Sequence, residues 1–103
     1  MKDVTKEQWV AALRSGKYKQ GQSALQQDGK FCCLGVLCDL AEVPHSTGPG
    51  RVLYSFADFD STAMPSHGLV KATGFKGGMG RLAGMNDEGK SFNEIADHIE
   101  AHL

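Results

Sequence analysis

No stretch of this 103-residue chain approaches the roughly 18 consecutive apolar residues that a membrane-spanning helix needs. Met1-Lys2-Asp3 leads into polar residues with no apolar segment behind them, so no secretory leader is expected and the protein is assigned to the cytoplasm. Neither sign of charge is in surplus: 11 Lys and Arg face 12 Asp and Glu, a formal net charge of −1. Tight, sequence-independent binding of nucleic acid draws on a surplus of cations that releases counterions from phosphates, so nucleic acid is not the expected partner, and neither is a membrane. Cysteine is scarce and odd in number, with Cys32 and Cys33 adjacent and Cys38 close behind. Adjacent cysteines close a strained ring, and all three lie in an apolar run. Free, buried thiols in a reducing compartment are therefore expected, rather than disulfides.

Catalytic and metal signatures are lacking as well. Cys-Cys-x4-Cys contains no Cys-x2-Cys pair and is not a structural zinc spacing. The Gly-rich stretch lacks the Gly-Lys-Ser/Thr ending of a phosphate loop, and neither a dinucleotide fingerprint nor a His-Glu-x-x-His pair is present. No Ser-His-Asp order, no paired catalytic carboxylates and no helix-turn-helix pattern stand out. The expectation is a protein that is not an enzyme, with no metal and no cofactor.

What the chain does contain is one long apolar run, Phe31 to Ala41, and 13 glycines that assign much of the rest to turns and loops. At this length a single domain, residues 1–103, buries about two thirds of its unfolded surface and needs no metal or disulfide to fold. Thr5-Lys6-Glu7-Gln8 is a capping box that starts a first helix bearing Trp9, Val10, Ala12 and Leu13, which Gly16 ends. Tyr18–Gln20 and Ala24–Gln26 read as short strands. Asp28-Gly29 is a hairpin-turn signal, with Lys30–Cys32 as the return strand and Leu25 and Phe31 sharing its buried face. A second helix, Cys33 to Glu42, is apolar around most of its circumference, with Gly35 permitting close backbone approach and Pro44 ending it. His45–Gly50 reads as a loop, Arg51–Phe56 as a strand and 57–63 as a surface loop. Pro65 opens a short helix, His67–Ala72, closed by Gly74. Lys76–Gly80 reads as a flexible loop, Arg81–Met85 as a buried strand or helical turn, and Asn86–Lys90 as a turn. Ser91-Phe92-Asn93-Glu94 is a second capping box, opening a helix whose buried face is Phe92, Ile95, Ala96, Ile99 and Leu103. The fold class is α+β: three to four helices on a short antiparallel hairpin or sheet.

Five groups could carry function. Cys32 and Cys33 sit at a helix start, where the dipole lowers a thiol pKa, although core packing is the commoner role of such cysteines. Glu94, His98 and His102 recur every four residues along one helix, a metal-capable stripe or a solvated face. The loop Gly74–Gly80 offers backbone N–H groups to phosphate or is a mobile connector. Asn86, Lys90 and Ser91 bring a cation to a helix start that favours anions, although capping alone accounts for Ser91. Arg14, Lys17, Tyr18 and Gln20 join cations to an aromatic ring, the pair of features a nucleotide needs, although an ordinary helix exit with a solvated charge cluster is the commoner origin of such a run.

Three runs carry a resemblance: Trp9 to Gln20, Phe31 to Leu40, and Leu82 to Glu100. Together they resemble a family of small proteins encoded by tailed bacteriophages and prophages. The resemblance covers about half the chain and leaves residues 43–80 aside. It implies an accessory protein acting in the host cell cytoplasm, and no activity carried by these motifs. By analogy of setting, the expected function is anti-defence: a homo-oligomer that binds and sequesters a cyclic-nucleotide-type immune signal without cleaving it. A small nucleotide is the expected ligand, with Arg14, Lys17, Tyr18, Gln20, Asn86, Lys90 and Ser91 as its site. The alternatives are a protein-binding inhibitor of a host enzyme and a small cysteine-dependent enzyme.

Overall fold

The first helix, α1 (Lys6–Arg14), starts where its capping box predicts. Thr5 accepts a hydrogen bond from the Gln8 N–H at 3.1 Å, and the Gln8 side chain accepts from the Thr5 N–H at 2.9 Å. Trp9, Val10 and Leu13 form its buried face. Beyond it the chain turns through Gly16 (φ 78°) into three two-residue strands: β1 (Lys19–Gln20), β2 (Gln26–Gln27) and β3 (Lys30–Phe31). The structure, a computed structural model, describes residues 2–48, 50–57 and 59–101.

Asp28 and Gly29 both adopt positive φ, 53° and 77°, as a tight hairpin turn requires, and β2 pairs antiparallel with β3. β1 flanks β3 on the other side in parallel, giving the order β1-β3-β2 rather than a simple hairpin. The register corrects one sequence expectation. Gln26 pairs with Phe31 and the Cys32 N–H donates to the Leu25 carbonyl at 3.3 Å, so Cys32, not Phe31, lies opposite buried Leu25. Phe31 is half-buried and takes Tyr18 edge-on, ring centres 5.1 Å apart.

Helix α2 (Cys33–Leu40) is the centre of the molecule, with every residue from Cys33 to Cys38 buried. Gly35 explains how it fits. A Cβ there would overlap the Leu25 carbonyl oxygen and lie 2.6 Å from the carbonyl carbon, so the hairpin backbone crosses the helix where a side chain would otherwise stand. The helix ends earlier than Pro44. Glu42 takes the left-handed conformation (φ 54°), the Val43 N–H donates to the Cys38 carbonyl at 3.1 Å, and the Glu42 N–H donates to the Asp39 carbonyl at 3.0 Å. These two bonds are a Schellman stop with Glu in the position glycine usually fills.

The next segment departs from the loop its composition suggests. His45–Thr47 is a strand, β4, antiparallel to β5 (Val52–Ser55), which also pairs with β6 (Asp60–Ser61). All three β4 residues are exposed and polar, so the strand exists through its ladder with β5 alone. In β5 the predicted alternation holds, with Val52 and Tyr54 buried and Phe56 continuing it. Helix α3 (His67–Ala72) is capped by Ser66; Pro65 precedes the cap instead of occupying the first turn. The predicted flexible loop is shorter than expected, because Met79 and Gly80 already belong to α4 (Met79–Asp87). That helix takes in Arg81–Met85 and the first half of the predicted Asn86–Lys90 turn.

Helix α5 (Phe92–Ala101) begins at its capping box, with the Glu94 N–H donating to Ser91 Oγ and the Ser91 N–H to Glu94 Oε1, both at 3.1 Å. Phe92, Ile95, Ala96 and Ile99 are buried, chiefly against α1; Leu103, the last residue of the predicted face, lies outside the described residues. The domain is α+β, with five helices and two three-stranded sheets among the described residues, rather than three or four helices on one hairpin. No described helix is long and apolar enough to cross a membrane.

Candidate ligand-binding groove

Of the residues the sequence offers as a nucleotide site, Gln20, Asn86 and Lys90 meet through hydrogen bonds, while Arg14 and Tyr18 bond to carboxylates outside the set. Arg14 Nη2 lies 2.6 Å from Asp97 Oδ1 and 3.4 Å from Glu100 Oε1, tying α1 to α5. The hydrogen bond to Asp97 raises the guanidinium pKa further. Gln20 Nε2 donates to the Lys90 carbonyl at 2.6 Å and to Asn86 Oδ1 at 3.0 Å. Asn86 is fully buried; its Nδ2 donates to the Gly21 carbonyl at 2.7 Å, and its Oδ1 also accepts from the Cys33 N–H at 3.3 Å. Gln22 and Ser23 extend this lock, the first donating to the Asn86 carbonyl, the second from its N–H to Asp87 Oδ1. Ser91 is engaged in capping α5. Lys17 and Lys90 are exposed, and their side chains make no hydrogen bond or ion pair among the described residues.

Tyr18 donates its phenol proton to Asp39 Oδ2 at 2.6 Å. Burial first, and then the hydrogen bond and charge of Asp39, push its pKa up to about 12. Burial also raises the pKa of Tyr54, which donates to Gln26 Oε1 at 2.8 Å. A raised folded-state pKa means that stability from these phenols is full below an unfolded value of about 10 and is lost as pH rises. For Tyr18 the window closes at about 12. Spectrophotometric titration at 295 nm is therefore expected to show almost no tyrosinate at pH 10 in the native protein, and about half ionisation at that pH in denaturant, where the ordinary pKa of about 10 applies. A native transition centred near pH 10 contradicts the Tyr18–Asp39 bond.

The thiols are set for packing. Cys32 caps α2, its Sγ accepting from the Gly35 N–H at 3.4 Å, which is the contact that lowers a thiol pKa at a helix start. Burial outweighs it and the Cys32 pKa is raised; Cys33 and Cys38 are raised by burial as well. Cys33 Sγ points to the Leu82 carbonyl at 3.6 Å. An aromatic disulfide reagent at pH 8 is expected to label the three thiols at the rate of unfolding in the native protein, and within mixing time in denaturant. Rapid native labelling of even one is the result that contradicts this burial.

Elsewhere, a groove of about 750 Å³ opens between α3 and the start of α4. His67, Val70 and Lys71 of α3 form one wall; Gly74 to Gly78 and Met79 form the rest. Phe75 is its floor, 3% exposed, edge-on to Trp9 of α1 with ring centres 6.1 Å apart. Gly77 lies directly on the Phe75 ring, where a Cβ would collide with it. Gly78 is the N-cap of α4 and no side chain caps that helix. His67, Lys71 and Lys76 are exposed, none makes a side-chain hydrogen bond or ion pair among the described residues, and no Asp or Glu lines the groove. It thus joins three nitrogenous side chains to an apolar floor.

Residues 1–47 are similar to a known family. Its description is a domain of unknown function (DUF8296). No curated protein and no solved structure matches the chain. The matched segment runs from α1 through β4 and includes the Gly35 crossing and all three cysteines, while the groove is built entirely from residues beyond it.

Sequence reasoning singled out the glycine loop of this groove but not its walls. The signal was present: Lys71 and Lys76 flank Gly74 with no acidic residue from His67 to Met79. Of the metal-capable stripe, Glu94 is held in the α5 cap and the His98 ring packs 6.4 Å from Phe75, while His102 lies outside the described residues. Among the described residues no three such side chains are grouped to hold a metal.

Proposed function

We propose that this protein is a phage-encoded anti-defence protein that binds and sequesters a cyclic-nucleotide-type immune signal in the host cytoplasm, without cleaving it. The phage setting comes from the sequence resemblance. The single observation that supports binding is the α3–α4 groove, whose volume of about 750 Å³ falls in the usual range of small-molecule sites. Cations that no carboxylate among the described residues engages favour an anion, and the apolar floor favours a ligand with a planar, weakly polar part. The groove is a better candidate than the Arg14–Ser91 cluster, because Arg14, Tyr18, Gln20, Asn86 and Ser91 already bond to groups of this chain. A cysteine-dependent reaction is disfavoured by the burial of all three thiols.

Calorimetry with cyclic mononucleotides, cyclic dinucleotides and cyclic ADP-ribose isomers tests the proposal. Binding of at least one without turnover is expected, and its loss in a Lys71→Ala/Lys76→Ala double variant with unchanged melting temperature. No heat from any of them ends this reading.

A second reading, inhibition of a host protein by direct contact, is favoured by Phe59. It is 41% exposed and stacks on Phe56 beyond the end of β5, with ring centres 5.3 Å apart. A stoichiometric host complex that survives excess nucleotide and is lost in Phe59→Ser is its signature.

A further inference from the structure

Every residue lining the groove comes from one segment of one chain, His67 to Met79. The two sides differ. One is helical and carries His67, Val70 and Lys71; the other is a glycine-rich loop carrying Lys76 and ending in Met79. A ligand with two-fold symmetry presents the same groups twice, and it is matched most directly by a two-fold axis between copies, where each copy supplies the same residues. The α3–α4 groove repeats nothing.

Resting on the nucleotide-binding reading above, we infer that the site takes an asymmetric ligand with a single phosphate, a nucleoside monophosphate or its cyclic form, one per chain and without help from a second copy. Lys71 and Lys76 hold the phosphate. The heterocycle lies along the apolar part of the lining, Val70, Phe75 and Met79. Phe75 is fixed from beneath by Trp9, so the floor is formed before the ligand arrives.

The experiment is calorimetry on the full chain with cyclic and linear purine and pyrimidine mononucleotides, in parallel with two-fold symmetric cyclic dinucleotides, and sedimentation to give the protein's association state. One mononucleotide bound per chain is expected, at least as tightly as any symmetric dinucleotide. Lys71→Ala and Lys76→Ala should each weaken it about tenfold, the size of one lost charge-assisted hydrogen bond, with Lys17→Ala and Lys90→Ala as silent controls. Half a ligand per chain, or preference for the symmetric dinucleotide, overturns this inference and leaves the broader reading standing. Loss of binding in the Lys17 or Lys90 variants with Lys71 and Lys76 silent also overturns it. No binding by either class removes both.

Discussion

Asn86→Ala is expected to lower the free energy of unfolding by ~3 kcal/mol or more, the range seen when a buried hydrogen-bonded network is broken. The side chain is fully buried in α4, yet it serves groups from two other elements. Its amide donates to Gly21, and its oxygen accepts from the Cys33 N–H at the start of α2 and from Gln20 beside β3. Alanine leaves a buried N–H and a carbonyl of the β1–β2 loop without this partner, and the lock on α4 is left to the Gln22 and Ser23 bonds. Asn86→Asp keeps the volume and the acceptor but sets a carboxyl oxygen against the Gly21 carbonyl in a fully buried position, so a loss without any cavity points to the network. Both should unfold at lower urea concentration; Gln20→Ala, at the accessible rim, should cost only about 1 kcal/mol, as one ordinary hydrogen bond does. An Asn86→Ala midpoint equal to that of the parent protein contradicts the lock.

Gly35→Ala is expected to cost still more, ~4 kcal/mol or failure to fold, because the added methyl meets backbone rather than a side chain that can change rotamer. The Leu25 carbonyl oxygen occupies the space a Cβ needs. Relief requires the hairpin to lift from α2, which exposes Leu25, Cys32 and Leu34, all buried against this crossing. Substituting Gly84 tests the specificity of the effect. It too lies inside a helix but has nothing within 4 Å of an added Cβ, so alanine there should stabilise by up to about 1 kcal/mol through helix propensity. Circular dichroism and urea unfolding of the two variants should move in opposite directions. Native-like stability of Gly35→Ala is the result that removes the close crossing.

The same contrast separates what was legible in the sequence from what was not. Both capping boxes, the Asp28-Gly29 turn and the apolar face of α5 follow from interactions within about four residues, so the sequence alone determines them. The central place of Phe31–Ala41 is also local in origin, since a segment apolar on nearly all sides is satisfied only by burial. β4 is different. His45, Ser46 and Thr47 have no apolar alternation, and only the ladder with β5 makes them a strand. Helix α4 holds Gly80 and Gly84, which weaken it on propensity; burial of Leu82 and Asn86 against the rest of the domain offsets this.

Function divides along the same line. Residue type alone brought Arg14, Tyr18, Gln20, Asn86 and Ser91 forward as ligand-binding groups, because each has the chemistry to bind an anion or a ring. Tertiary structure decides which polar groups are already engaged, and these five hold one another, Asp97 or Asp39, or cap a helix. Lys71 and Lys76 are no more conspicuous in the sequence. They stand out only because α3 and the start of α4 form a groove there and, among the described residues, no carboxylate pairs with them. Local signals settle which segments become helices and turns; only the packed chain settles which charges are left for a ligand.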